Sequence, residues 1–267
     1  MLVTRPNFPS PPTQPLEHSA QNPIHPALWL PYQLYRLGVV IPFLILSTAV
    51  LGTLISVLSF MGFANFASRV LATLWAKLNA AVTLMDVTIE GEENLAAGQS
   101  YVLAANHLSL VDIYVLYGIT GLDVKWVMKK ELRSVPALGL ACELMGHIYV
   151  DRTNTESALR SIANAKDRIK DGMCVAFFPE GTRSRTTELR SFKKGAFRMA
   201  QDLGIPVVPV SIHNTNRVLP SDTLNWRPGK VKLIFHAPVS VNETTNIGEL
   251  AAQTRQTIVD ALNQPND

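Results

Sequence analysis

Thirty-two consecutive residues, Leu37 to Ser68, carry no charge. Within them the run LGVVIPFLILSTAVLGTLISVLSFMGF is long enough, as a helix, to cross about 30 Å of hydrocarbon. Such a segment has two possible homes, a bilayer or the inside of a helical hairpin, and a length well beyond 18 apolar residues points to the bilayer. It opens after 36 residues and is about twice as long as the apolar core of a signal peptide, so it is expected to stay in the mature protein. Pro42 lies near its start, a position where a helix can kink. The following ANFASRVLATLWAKLNAAV repeats apolar residues at helical spacing, with Arg69 and Lys77 on its polar side. Residues 27–84 therefore read as two hydrophobic helices forming one membrane-binding segment. Basic residues flank both ends of the run, so charge does not set its orientation.

The residues before it read differently. Seven prolines among the first 26 residues, with polar neighbours, give a composition that buries too little surface to offset the entropy of ordering. Residues 1–26 are expected to be a disordered tail. The net charge of +3 is too weak and too dispersed for duplex binding, which leaves anionic lipids or substrates as the charged partners. Cys142 and Cys174 lie in apolar surroundings with no C-x-x-C pair, so neither a disulfide framework nor a zinc ribbon is expected and both thiols read as core.

From residue 85 to 267 the pattern becomes that of an α/β domain. Short β-branched runs (DVTIE, YVLAA, VKWVM, HIYVD, CVAFF, VVPVSI, VKLIFH) alternate with amphipathic stretches at 110–117, 156–170, 194–203 and 247–263. Several strands are almost wholly apolar, as required when helices cover both faces of a sheet. The expected architecture is a three-layer sandwich on a mostly parallel or mixed central sheet, preceded by the hydrophobic helical segment.

Chemistry gathers at the ends of these strands. In NHLSLVD, Ser109 and Asp112 have the S-x-x-D spacing of a capping box, which accounts for the serine without making it a nucleophile. Capping does not explain His107. It follows the strand YVLAA, at the end of a strand where open α/β sheets bind ligands, and Asp112 on the first helical turn lies within reach. A carboxylate on one imidazole nitrogen leaves the other as a base for a hydroxyl proton. The free N–H groups at the Ser109 helix start are candidates to stabilise an oxyanion.

A second cluster is FFPEGTRS, followed by SFKKGAF. From Arg183 to Arg198 six basic residues face one acid, Glu188. A glycine-containing loop beside an arginine fork suits a phosphate monoester, whereas the distal lysines alone suit an anionic lipid surface. A third set, Lys129 and Lys130 in VMKKEL and Arg152 in GHIYVDR, is expected on the same rim. His147 reads as a strand residue, His213 and His236 lack metal-ligand partners at useful spacing, and VPALGLACELM reads as core.

Together NHLSLVD, KKEL, GHIYVDR, FPEGTRS and VPVSI, in this order and spacing, resemble the lysophospholipid acyltransferase family, in particular its bacterial 1-acyl-sn-glycerol-3-phosphate acyltransferases. The resemblance implies a catalytic pair of His107 and Asp112, a substrate loop containing Glu180, Gly181, Thr182 and Arg183, and phosphate contacts from Lys129 and Arg152. Leu108 departs from the glutamine many members carry there. The implied reaction moves an acyl chain from acyl-CoA or acyl carrier protein to the sn-2 hydroxyl of 1-acyl-glycerol 3-phosphate, giving phosphatidic acid. It involves no bound cofactor or metal, and it takes place at the cytosolic side of the cytoplasmic membrane. Read from the residues alone, glycerol 3-phosphate, another lysophospholipid or a lyso-aminolipid remain open as acceptors. A membrane-bound thioesterase or lipase and a non-catalytic lipid-binding module remain open as other functions.

Overall fold

The computed structural model describes residues 24–118, 120–166, 169, 172–184 and 188–264. The tail read at residues 1–26 lies outside the described residues up to residue 23. Its last residue, Pro26, is instead the first of helix α1 (Pro26–Tyr35), where a missing N–H costs nothing and the His25 imidazole caps Ala27 N–H at 3.3 Å.

From there the chain is helical to Val82. A π-helical turn at Arg36–Val40 leads into α2 (Ile41–Leu58), and α3 (Ala64–Phe66) and α4 (Thr73–Val82) follow. Pro42 sits in the first turn of α2, directly after the π turn, and causes no break. The chain reverses at Gly62 instead, whose φ of 95° is open to glycine and strained for other residues. Thr48 accepts the Trp75 indole N–H at 3.0 Å, Ser47 donates to Asn79 at 2.8 Å, and Tyr35 donates to the Val82 carbonyl at 2.8 Å. These bonds pair the two arms antiparallel, as a hairpin with its turn at Gly62.

The hairpin has one dry side and one exposed side. Val40, Ile55, Ala67, Ala72 and Ala76 are buried against the α/β domain, while Leu46, Val50, Phe60, Met61, Phe63 and Phe66 are exposed, Phe60 by 85%. By length and composition this is a helix able to cross a membrane.

The remaining chain forms the expected α/β layers. Strands β1 (Met85–Glu90), β2 (Val102–Ala105), β3 (Asp123–Lys129), β4 (Ile148–Val150), β5 (Met173–Phe177), β6 (Val207–His213) and β7 (Gly229–Phe235) make one sheet in the order β1-β7-β6-β2-β5-β3-β4. All neighbours are parallel except β6 and β7, so the sheet is mixed. Burial explains the sequence pattern: central β2 and β6 are buried at every residue, and edge strand β1 alternates. The connecting helices are α5 (Val111–Gly118), α6 (Leu138–Leu144), α7 (Thr155–Ala163), α8 (Gly195–Leu203), α9 (Thr215–Val218) and α10 (Ile247–Leu262). Helix α7 stops seven residues short of the expected end at Lys170, with Asn164 as its C-cap, and Lys170 itself lies outside the described residues.

Two cores lie on opposite faces of the sheet. One joins the hairpin to α5, α6 and β7; the other is filled by Ala196, Phe197, Met199 and Ala200 of α8 with Leu250 and Ala251 of α10. A buried polar cluster locks the hairpin to the sheet: Lys125 Nζ donates to Asp123 Oδ1 at 2.8 Å and to Ser68 Oγ at 3.1 Å, and Arg69 Nε reaches Asp123 Oδ2 at 3.5 Å.

Candidate active site

Strand β2 delivers its next residue into a side-chain imitation of the sheet. The Asn106 amide donates to the Ile212 carbonyl at 2.9 Å and accepts the Ile212 N–H at 2.8 Å, extending the β2–β6 ladder by one rung. The main chain then turns off the sheet, and His107 stands at its edge.

The His107 ring is held on two sides. Its Nδ1 lies 2.7 Å from Asp112 Oδ2, and its face stacks on Phe178 with centroids 3.8 Å apart and planes 8° from parallel. The same carboxylate oxygen accepts Leu108 N–H at 2.8 Å and Ser109 N–H at 2.9 Å, so a fully buried Asp112 fixes both the imidazole and its loop. With the carboxylate on Nδ1, that nitrogen carries the proton and Nε2 keeps its lone pair. Ser109 accepts Val111 N–H at 3.2 Å as a cap and donates to the Leu219 carbonyl at 2.7 Å, while Ser221 donates to the Leu108 carbonyl at 2.9 Å. These tethers from residues 219 and 221 had no signal in the sequence.

Most of the N–H groups at this helix start, where an oxyanion contact was expected, already have partners. The N–H groups of Leu108 and Ser109 are taken by Asp112, that of Val111 by the Ser109 hydroxyl, and that of Asp112 by the Ser109 carbonyl at 3.4 Å. Leu110, which lines the cavity, is the residue of this turn whose N–H is left as the candidate donor.

The loop after β5 lies beside His107. Ser184 N–H donates to the His107 carbonyl at 2.8 Å. Glu180 Oε1 accepts His107 N–H at 3.0 Å and Oε2 accepts Arg190 N–H at 3.1 Å, so this carboxylate holds main chain in place. Burial pushes the Glu180 carboxyl above its ordinary range, and those two N–H groups pull it part of the way back. Gly181 has φ of 78°, and a Cβ there would stand 2.9 Å from the Lys193 side chain. The Gly181 carbonyl accepts Arg152 Nη1–H at 2.8 Å, and Arg183 donates to Asp222 at 3.1 Å.

A cavity of about 290 Å³ opens at His107. Lys129, Arg152, Thr182 and Arg183 line it with His107, whereas Glu180 and Gly181 stand behind the wall. Lys129 has no ion-pair partner among the described residues. Lys130, expected on this rim, starts a 3₁₀ turn and points instead to Asp151 at 2.6 Å, outside the cavity. The rest of the lining is mostly apolar and comes from the hairpin (Gly52, Ile55, Ala72, Trp75), α5 and α6. Leu138, Ala141, Cys142 and Met145 belong to it, so VPALGLACELM supplies cavity wall as well as core. Burial pushes the Cys142 thiol up to about 12, which keeps it protonated.

His147 is also in this wall, where the sequence reading had only a strand residue. Its Nδ1 accepts the Trp126 backbone N–H at 3.1 Å, and burial, with the nearby Lys125 ammonium, pushes its pKa down to about 3. Among the described residues no group of three His, Cys, Asp or Glu side chains is placed to hold a metal ion. An imidazole lone pair at the mouth of an apolar cavity, next to one lysine and two arginines, can take a proton from an alcohol that carries a phosphate and an acyl chain.

Residues 86–213 match the family model described as Acyltransferase. Over 208 residues the chain is 34% identical to a 1-acyl-sn-glycerol-3-phosphate acyltransferase of Chlamydomonas reinhardtii, covering 77% of this chain and 61% of that one. It is 30% identical over 202 residues to an uncharacterised acyltransferase of Schizosaccharomyces pombe, covering 73% of this chain and 72% of the relative. The chain spans between about half and three-fifths of the length of the first curated relatives it matches. The crystal structure of the 1-acyl-sn-glycerophosphate acyltransferase from Thermotoga maritima is similar at a TM-score of 0.62 and 27% identity, covering 84% of this chain and 98% of that one.

Proposed function

Because the chain belongs to the acyltransferase family, we propose that it transfers the acyl group of a thioester to the free hydroxyl of 1-acyl-glycerol 3-phosphate, giving phosphatidic acid. The observation that carries this reading is His107 Nδ1 fixed on Asp112 at 2.7 Å, at the mouth of a cavity that Lys129, Arg152 and Arg183 also line.

His107 Nε2 takes the hydroxyl proton as that oxygen attacks the thioester carbonyl. The new C–O bond forms, the C–S bond breaks, and the imidazolium returns its proton to the departing thiolate. Asp112 stabilises the imidazolium in between and keeps the ring in one tautomer. Both substrates share one cavity, so positioning replaces a covalent intermediate. The acceptor's phosphate is met by Lys129, Arg152 and Arg183, with the two guanidinium groups suited to paired oxygens. Relatives named as 1-acyl-sn-glycerol-3-phosphate acyltransferases support this choice of acceptor.

The hairpin supplies the membrane attachment. Its exposed apolar side chains run along the hairpin from Leu28 to Leu78, with Phe60, Phe63 and Phe66 around the Gly62 turn, so this face enters the lipid from one side. The cytosolic face of the cytoplasmic membrane is the side where acyl thioesters meet a lysolipid, and we place the protein there.

The experiment is an assay of purified protein in vesicles with lysophosphatidate, other lysolipids, a lyso-aminolipid and glycerol 3-phosphate, each offered with acyl-CoA and with acyl carrier protein thioester. Phosphatidate from lysophosphatidate is expected as the fastest product. Thioester hydrolysis that ignores the acceptor would make the protein a thioesterase, and lipid binding with no turnover would make it a binding module.

A further inference from the structure

We infer that the exposed basic surface formed by Arg190, Lys193, Lys194 and Arg198 is a docking site for an acidic carrier protein that presents the acyl thioester. This inference rests on the transferase reading above.

The cations form one surface joined to the catalytic loop. Lys194 and Arg198 are one helical turn apart at the start of α8, with Arg198 N–H donating to the Lys194 carbonyl at 3.0 Å. Lys193 bonds the Pro179 carbonyl through its N–H at 2.8 Å and lays its side chain over Gly181; Arg190 is tied through its N–H to Glu180, which also holds His107. All four are exposed; the Arg190 charge also acts on the Glu180 carboxylate, and Lys193, Lys194 and Arg198 extend the positive surface from there. Exposed cations of this kind steer an oppositely charged partner and raise its association rate by about 10- to 10³-fold at low salt.

Position decides against lipid as the partner. The core residues of α8 fill the face of the sheet opposite the hairpin, so two layer spacings of about 10 Å each lie between this surface and the lipid-facing hairpin. That exceeds the screening length of about 8 Å at physiological salt. Shape decides against a nucleotide: small-molecule sites are concave, whereas these side chains stand on an exposed helix start and are not part of the cavity lining. A folded acidic partner with its thioester on a flexible arm fits an exposed cationic face joined to the loop that holds His107.

The test compares the double charge reversal Lys194→Glu and Arg198→Glu with wild type, using the same acyl chain on acyl-CoA and on an acidic acyl carrier protein. We expect kcat/KM for the carrier thioester to fall at least about tenfold at low salt and to converge with wild type at high salt, while acyl-CoA turnover changes less than about twofold. Equal loss on both donors, or no loss on the carrier, overturns the inference. So does a drop in binding to anionic vesicles without donor discrimination. A wild type that uses acyl-CoA and refuses the carrier also overturns it while leaving the transferase reading intact. Failure with both donors removes that reading as well.

Discussion

The mouth and the wall of one cavity each hold a buried histidine, and the two are built for opposite work. At the mouth, His107 puts Nδ1 on a carboxylate, so the proton stays there and Nε2 offers a lone pair. In the wall, His147 accepts a backbone N–H on Nδ1, so its proton sits on Nε2, and burial near Lys125 with a pKa pushed down to about 3 keeps the ring neutral. In the reaction proposed above, one ring is the base and the other only a donor. The partner on the first nitrogen settles the role, and residue type does not.

The largest test of this contrast removes the imidazole at the mouth. His107→Ala should cut acyl transfer about 10²- to 10⁴-fold while circular dichroism and vesicle binding stay as in wild type. His147→Gln should retain most of the rate, since a glutamine oxygen can still accept the Trp126 N–H. If the two variants exchanged these outcomes, the assignment of the base would be inverted.

A smaller effect is expected one bond behind the mouth. Glu180 accepts two main-chain N–H groups, and Glu180→Gln can satisfy one while turning an NH₂ group toward the other. Leaving a buried donor unmet costs about 1–3 kcal/mol, so the variant should melt earlier and lose kcat through a displaced His107 loop. Unchanged melting and unchanged kcat would mean that the mouth is held by its other tethers, Asp112, Asn106, Ser184 and Ser221, without help from Glu180.

What the sequence disclosed and what it hid follows the range of the contacts. His107, Ser109 and Asp112 were legible because a capping box and a five-residue separation are local geometry. The alternation of β1 and the solid apolar runs of β2 and β6 showed the layers for the same reason. Glu180 was visible as part of a motif, but its use as a bracket for backbone was not, because a main-chain partner leaves no residue signature. The Asp123, Lys125 and Ser68 cluster joins residues more than 50 positions apart, and His147 enters the cavity only through the packing of α6 on the hairpin. The two hairpin helices were legible as an uncharged run followed by an amphipathic stretch, but the reversal at Gly62 was not, because nothing polar marks that turn.

The finest test concerns stability at the wall. His147 faces Lys125, Asp123 and the edge of Tyr117, and its folded pKa of about 3 lies below the ordinary 6.5 of an unfolded histidine. Between those values the unfolded chain binds a proton that the folded one refuses. The stability contributed by neutral His147 is therefore complete above about pH 6.5 and is lost as the pH falls from there toward about 3, by up to ~1.4 kcal/mol per pH unit. Urea unfolding in detergent at a series of pH values should show a shallower acid loss for His147→Gln than for wild type in this window. Parallel slopes would mean that His147 is as well solvated folded as unfolded, and the contrast between mouth and wall would then rest on Nδ1 partners alone.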